Sequence, residues 1–272
     1  MSLTVATFNI RNTTDRYSER QPLLVKAFKE LSADVVALQE VVFDGPPHNQ
    51  GRFLADESGT AWCCHEARAS ESIRVAGTDE HFRIDGNCIL CRSDLLNSGE
   101  HSTLHLNPIR VAQRIVLQLE DSSRVWVVNT HLHHEQDPAG DSERLAQVQS
   151  ILEWCSAAAE QEHCIAHTVL LGDFNSGVGS PAQLEVLQRG FRSTFFEAHG
   201  AEPEHTFPTG LQAPFMDDSD PMTTDYIFHR GSKLELRSAR IASNPHESDS
   251  SLYASDHMAI VAVFSQRSQP QS

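Results

Sequence analysis

Long hydrophobic runs are missing from this 272-residue sequence. No apolar stretch approaches the roughly 20 residues that a membrane-spanning helix needs. The N-terminus, MSLTVATFNIR, has neither the basic start nor the apolar core of a secretory signal. These absences argue against a membrane anchor and predict a soluble, cytoplasmic protein.

Basic residues are also scarce. The chain has 21 Lys and Arg against 37 Asp and Glu, which gives a net charge of −16 when its 15 His are neutral. Such a surface repels polyanions within a Debye length, so tight non-specific binding of duplex nucleic acid is not expected. Small anionic substrates stay compatible with this charge, because a bound metal ion can reverse the field locally.

The cysteine pattern lacks what a zinc site requires. Cys88 and Cys91 have C-x-x-C spacing, but no second C-x-x-C follows and His105 is isolated. The intervening Ile89-Leu90 predicts a strand, which directs the two thiols to opposite faces of a sheet. We therefore expect free thiols.

Strand and helix patterns alternate along the whole length, without a linker in the middle. This order predicts one α/β domain over residues 1–265 and a flexible tail over 266–272. Helices are predicted over 19–31, near Arg52, from Ser142 and from Ser180, with loops in the rest of 44–86. Strands are predicted at 4–10, 35–38, 87–92, 111–119, 125–130, 169–171, 225–229, 233–241 and 258–264.

Polar or ionisable residues stand at one end of strand after strand. Any one of them is usually a turn or cap residue. As a set they are all carboxylates, amides or imidazoles, whereas independent turns should include Gly, Ser and Pro. The set therefore predicts a shared site, and its members are Asn9, Glu40, Asn129, His131, Asp173, Asn175, Asp225, Asp256 and His257.

This combination of side chains suits one kind of chemistry. Carboxylate and amide oxygens favour Mg²⁺, or Mn²⁺, over zinc. Imidazoles and a further carboxylate serve acid–base catalysis and stabilise a developing phosphoryl charge. Metal-assisted attack of water on a phosphate ester uses all of them.

Six short blocks carry a family resemblance. They are TFNI (7–10), LQEV (38–41), NTHL (129–132), GDFN (172–175), TDYI (224–227) and SDH (255–257). In this order they resemble the signature blocks of the endonuclease/exonuclease/phosphatase superfamily. The resemblance implies a deoxyribonuclease I-like, four-layer α/β/β/α sandwich of two mixed β-sheets flanked by helices. Arg11 stands where apurinic endonucleases and tyrosyl-DNA phosphodiesterases commonly have Asp. The runs DYIF (225–228) and NTHLH (129–133) are most similar to the deadenylase and nocturnin-like branch and to small uncharacterised hydrolases.

The resemblance also implies a metal site. Glu40 is expected to be the main ligand of Mg²⁺, with Asn9 beside it and Asp256 in support. Asp173 is expected to orient or deprotonate the attacking water, and Asn175 to hold a phosphoryl oxygen.

Two histidines complete the implied site. His257 is expected to pair with Asp225, while His131 faces the phosphate from the other side with Asp85 as a carboxylate behind it. Further candidate phosphate contacts are Arg11, Arg114 and Thr206. Arg114 could instead line a surface, and Thr206 could serve only its strand.

The predicted function is a Mg²⁺-dependent phosphodiesterase or nuclease. Its substrate is expected to be single-stranded or short nucleic acid, or a small phosphorylated metabolite, and no obligate protein partner is evident. A sphingomyelinase-like lipid phosphodiesterase and a phosphomonoesterase are the alternatives within the fold. A non-catalytic phosphate-binding module is the alternative of another class, although no block has lost its reactive residue.

Overall fold

Two six-stranded β-sheets form the centre of the computed structural model, which describes residues 2–44, 49–71, 85–95, 100–162, 165–214, 216, 219–243 and 245–267. The strands are β1 (Ser2–Asn9), β2 (Val35–Val42), β3 (Trp62–Arg68), β4 (Asp85–Arg92), β5 (His101–Asn107), β6 (Arg110–Gln118), β7 (Arg124–His131), β8 (Ile165–Asp173), β9 (Arg192–Ser193), β10 (Asp225–Gly231), β11 (Leu234–Ala242) and β12 (Ala259–Gln266). The helices are α1 (Tyr17–Leu31), α2 (Gln50–Ser58), α3 (Pro138–Glu162), α4 (Pro181–Gln188) and α5 (Thr194–His199).

The two sheets have the same plan. Sheet 1 has the order β11-β12-β1-β2-β4-β3, and sheet 2 has the order β5-β6-β7-β8-β10-β9. Each contains one parallel pair, β1–β2 or β7–β8, joined through α1 or α3, and its other pairs are antiparallel. Parallel neighbours end at the same edge of a sheet, so each pair delivers two strand ends to one place.

Three hydrophobic clusters hold the layers together. The first lies between α1, α2 and sheet 1, and it includes Phe8, Leu24 and Phe28. The second lies between the two sheets and contains residues of both, such as Val35 and Val169. The third lies between sheet 2 and α3 and α4. Because each sheet is covered on both faces, its central strands are continuous apolar runs, and the predicted four-layer fold is confirmed.

The predicted elements are present with small shifts of their bounds, and four elements were missed. Helix α1 matches the stripe predicted over 19–31, and the Ser180 hydroxyl caps α4 by accepting from Gln183 N at 3.3 Å. The missed elements are β3, β5, β9 and α5. Strands β3 and β5 each lie at one edge of their sheet and are only partly buried, so their sequences lack a clear apolar alternation.

The structure also bears on the predicted cysteine strand and on the predicted C-terminal tail. Cys88 packs with the α1–α2 layer and Cys91 packs between the sheets, so the two thiols do face opposite sides of β4. Strand β12 extends to Gln266, and Arg267 N donates to Lys233 O at 2.8 Å, so the predicted tail begins within ordered structure. Its residues 268–272, like Cys164, lie outside the described residues.

Candidate active site

A cleft of about 250 Å³ opens at the edge where the parallel pairs of both sheets end. In β7–β8 the register places His131 opposite Asp173, and in β8–β10 it places Asp173 opposite Asp225. Beneath the cleft, Gln39 Nε2 donates to Asn129 Oδ1 at 2.8 Å and links the sheets. Seven of the predicted site residues line this cleft, namely Arg11, Glu40, Asp85, His131, Asp173, Asn175 and His257.

Glu40 is a charged carboxylate in the cleft wall. Asn9 Nδ2 donates to its Oε1 at 3.2 Å, and Asn12 Nδ2 donates to its Oε2 at 2.7 Å. Burial alone would raise the pKa of Glu40, but the charges of Arg11 and His257 and the Asn9 hydrogen bond lower it overall. Its backbone φ of 54° lies in the left-handed region, which is costly for a residue with a side chain.

His257 and Asp225 form the predicted pair. His257 Nδ1 donates to Asp225 Oδ2 at 3.0 Å. Burial on its own would lower the pKa of His257, yet the carboxylates of Asp225 and Asp173 raise it to about 10, so the ring is an imidazolium at neutral pH. The hydroxyls of Thr206 and Thr224 donate to the same Asp225 oxygen at 2.7 and 3.0 Å.

This arrangement corrects the expectation for Thr206. Its side chain is fully buried and its hydroxyl is directed at Asp225, so it orients that carboxylate and does not face a substrate phosphate.

Asp173 lies between the two histidines. Its Oδ2 accepts from Asn9 Nδ2 at 2.9 Å and is 3.5 Å from His131 Nε2 and 3.8 Å from His257 Nε2. Burial raises its pKa to about 7, helped by the charge of Asp225 and opposed by that of His257. A carboxylate with this pKa can accept a proton near neutral pH.

Asn175 is fixed beside Asp173. Its backbone N donates to Asp173 Oδ1 at 2.8 Å, and its Nδ2 donates to Leu132 O at 3.1 Å. Its φ of 46° is again left-handed, which turns the chain so that both side chains reach the cleft.

Asn9 and Asp256 both contact Arg11. Asn9 Oδ1 accepts from Arg11 N at 3.0 Å, and Asp256 Oδ2 is 3.2 Å from Arg11 Nη1. Arg11, the predicted phosphate contact, therefore lines the cleft with its charge partly balanced by Asp256 and by Asp15 at 2.8 Å.

Arg114 lies away from the cleft, which corrects its predicted role. Its guanidinium carbon is 4.5 Å from the ring centre of Trp126 and 4.3 Å from that of Trp154, on the face of sheet 2 that α3 covers. Arg110, four residues earlier, lines the cleft, although it was not among the predicted phosphate contacts. Arg110 Nη1 donates to His131 Nδ1 at 3.0 Å, and its Nη2 donates to His134 Nδ1 at 3.3 Å.

The contact between Arg110 and His131 also bears on Asp85, which was expected behind His131. The side chain on Nδ1 of His131 is the cation Arg110, where a carboxylate was expected. Asp85 lines the same cleft, and its charge raises the pKa of Arg110, although burial dominates and lowers that pKa overall.

The donor set fits a hard divalent cation at Glu40. Glu40 and Asp173 bring charged or chargeable oxygens to one cleft, as Mg²⁺ prefers. Asp173, Asp225 and His257 also come within 4.8 Å of one another. That group is less suited to a metal, because Asp225 already accepts from the His257 imidazolium and from two hydroxyls.

Residues 6–257 match the endonuclease/exonuclease/phosphatase family. The chain is 28% identical over 183 residues to the probable RNA exonuclease NGL3 of Saccharomyces cerevisiae, covering 64% of this chain and 35% of that protein. It therefore spans about a third of the length of this relative.

Solved structures have the same fold. The human Nocturnin catalytic domain with bound sulfate anion superposes with a TM-score of 0.76 at 19% identity, covering 98% of this chain and 95% of that one. ANGEL2, a 2′,3′-cyclic phosphatase, superposes with a TM-score of 0.71 at 19% identity, covering 97% and 95%.

The chain belongs to the endonuclease/exonuclease/phosphatase family. The predicted resemblance to this family is confirmed. In the described part of the chain, no helix combines the length and apolar character that a membrane span requires.

Proposed function

We propose that this protein is a Mg²⁺-dependent phosphodiesterase that acts on single-stranded or short nucleic acid, or on a small phosphorylated metabolite. One observation carries the proposal. Asp173, with its pKa near 7, lies between two imidazoles in a cleft whose wall also holds the charged Glu40. A proton acceptor and an anionic ligand for a hard cation thus face the same space.

The metal role is assigned to Glu40, with Asn9 holding its carboxylate and Asp256 in support. When bound, Mg²⁺ would act as a Lewis acid on a phosphoryl oxygen. The hydrogen bonds from Asn9 and Asn12 fix both Glu40 oxygens, so the ligand geometry is set before the cation arrives.

We assign Asp173 to orient or deprotonate the attacking water. Its Oδ1 is occupied by Asn175 N, and its Oδ2 is the atom that both histidines approach. The side chain of Asn175 lines the cleft beside it and is assigned to a phosphoryl oxygen.

We assign His257 to the side of the phosphate opposite His131. Its Nδ1 is held by Asp225, which leaves the Nε2 proton of the imidazolium directed toward Asp173 and the cleft. This proton can neutralise charge that develops on the phosphate or on its leaving oxygen. Asp225 holds the ring orientation and, through its charge, keeps the ring protonated.

The substrate class rests on charge and on size. With a net charge of −16 the chain lacks the basic surface that holds a long duplex through several phosphates. The cleft of about 250 Å³ accommodates one nucleotide-sized group more readily than a duplex. The names of two relatives, a probable RNA exonuclease and a 2′,3′-cyclic phosphatase, support RNA ends or small phosphate esters.

The test is a substrate comparison with purified protein at moderate salt, saturating Mg²⁺ and equal phosphate concentration. Its arms are single-stranded RNA and DNA, plasmid duplex, nucleotide phosphates, inositol phosphates and sphingomyelin, with the Asp225→Asn variant as the blank for contaminating nucleases. We expect single strands or small phosphate esters to be hydrolysed faster than duplex. Faster nicking of the plasmid would contradict the substrate class, and preferred hydrolysis of sphingomyelin would indicate the lipid alternative.

A further inference from the structure

His131 is surrounded by different chemistry from His257, although both rings approach Asp173. His131 Nδ1 is 3.0 Å from Arg110 Nη1, and both side chains are buried. Arginine has five N–H donors, carries no acceptor lone pair and stays charged in proteins. The nitrogen that Arg110 contacts must therefore be the acceptor, so the single ring proton of His131 is on Nε2.

His134 repeats the arrangement. Its Nδ1 is 3.3 Å from Arg110 Nη2, so one guanidinium fixes the tautomer of two histidines on the same wall of the cleft. The second ring is more exposed than the first, and we assign it to holding Arg110 in place.

The charge around His131 opposes a second proton. Burial is the largest effect, and the nearby charges of Arg110 and His257 add to it, so the pKa of His131 falls well below its usual value. His257 differs because its Nδ1 donates to a carboxylate, whose charge stabilises the imidazolium.

We infer that Arg110 is a positioning residue that holds His131 as a neutral imidazole with its proton on Nε2. In this state His131 donates a hydrogen bond from Nε2 to a phosphoryl oxygen and transfers no proton. The role of His131 at a phosphate rests on the proposed function, whereas its tautomer does not. The two histidines then divide the work, since His257 supplies the charge and His131 supplies a neutral donor opposite it.

Nitrogen NMR tests the tautomer directly. In a long-range ¹H–¹⁵N spectrum of the ¹⁵N-labelled protein near pH 7, the His131 signals are identified by their loss in His131→Gln. We expect an unprotonated Nδ1 and a protonated Nε2. A protonated Nδ1, or a ring with both nitrogens protonated, would overturn the inference.

Variants of Arg110 test the cause. Arg110→Met should let the Nδ1-protonated tautomer appear, and Arg110→Lys should partly restore the original one, because an ammonium can still donate to Nδ1. Arg114→Met is the matched control on the same strand, and it should leave the His131 signals unchanged. An unchanged tautomer in a folded Arg110→Met protein would show that Arg110 does not set it.

Kinetics test the role of the proton. The amide of glutamine can donate a hydrogen bond but cannot exchange a proton at neutral pH, so His131→Gln should keep kcat within about tenfold of the wild type. His131→Ala should lose on the order of 10²–10³-fold, as when one oxyanion donor is removed. Equal loss in both folded variants would mean that His131 transfers a proton, which overturns the inference. If the wild type hydrolyses no phosphoester, the proposed function fails, while the NMR result still decides the tautomer.

Discussion

Strands β8 and β10 carry buried titratable groups at both ends of one antiparallel pair. Asp173 lies opposite Asp225 at the cleft, and His167 and His229 meet at the far end. The two imidazoles stack with ring centres 5.4 Å apart, and their facing nitrogens are 3.3 Å apart. All four side chains are almost completely buried.

The two ends differ in how their hydrogen bonds are completed. At the far end, Leu234 N donates to His167 Nδ1, His167 Nε2 pairs with His229 Nδ1, and His229 Nε2 pairs with Glu197. Burial lowers the pKa of His167 to about 3, so this pair is neutral and satisfied. At the cleft, ionised groups remain close together around open space. Buried groups with a shifted pKa therefore occur at both ends of the β8–β10 pair. The end that can perform chemistry differs from the other because its groups carry opposite charges and border a cleft.

The largest loss of activity is expected from a change to Glu40, the main ligand proposed for the metal ion. Glu40→Gln removes the charge that holds a hard cation, so activity should fall by several orders of magnitude and the Mg²⁺ needed for half-maximal rate should rise. The measurement is the hydrolysis rate against Mg²⁺ concentration, with Glu185→Gln on α4 as the control. Full activity of the wild type in excess chelator would contradict the metal assignment.

The His257–Asp225 pair should behave as one unit. Asp225→Asn and His257→Ala should each lower kcat by about 10²-fold or more, because the amide no longer favours the imidazolium. The double variant should lose little more than either one, since residues that act together are not additive. Losses that multiply would show that the two side chains act separately.

Replacing His167, at the far end of the β8–β10 pair, should change stability and leave activity intact. His167 has a pKa of about 3 in the folded protein and near 6.5 when unfolded, so the unfolded state binds more protons below pH 6.5. The free energy of unfolding should therefore be fully developed above pH 6.5 and fall as the pH drops toward 3.

His167→Gln should make that decline shallower, by up to about 1.4 kcal/mol per pH unit. The free energy of unfolding in urea at pH 7 and at pH 5 measures this decline. A substitution of the exposed His199, His199→Gln, is the control. An unchanged slope would mean that His167 does not titrate as this environment implies.

The smallest effect is expected at the C-x-x-C pair. Cys88→Ala and Cys91→Ala should leave kcat unchanged and cost about 1 kcal/mol of stability each, because both thiols pack within apolar clusters. Elemental analysis of the purified protein should find no stoichiometric zinc. Zinc that is lost with either thiol would contradict the assignment.

The fold and the carboxylate part of the site could be predicted because strand ends are local features of the sequence. The apolar runs before His131 and Asp173 locate the ends of β7 and β8, and the run before Glu40 locates the irregular part of β2 between Leu38 and Val41. Parallel neighbours then bring these positions together. The edge strands β3 and β5 could not be found in this way, since their side chains are only partly buried.

The arginines show why the rest could not be predicted. Alternation along β6 gives Arg110 and Arg114 the same face of the sheet, but only Arg110 is at the end beside the cleft. Four residues correspond to about 13 Å along a strand, which moves Arg114 beneath α3. The Thr206 contact with Asp225 joins a loop to a strand 19 residues later, and no local pattern indicates it.

The most direct test of the central claim compares the two ends of β10 in one assay. Asp225→Asn and His229→Gln each neutralise or replace one buried titratable side chain on the same strand, and circular dichroism can confirm that both variants are folded. Phosphodiester hydrolysis at pH 7 with saturating Mg²⁺ should fall by about 10²-fold or more in Asp225→Asn and stay within about tenfold of the wild type in His229→Gln. Similar losses in both variants, or full activity in Asp225→Asn, would contradict the account.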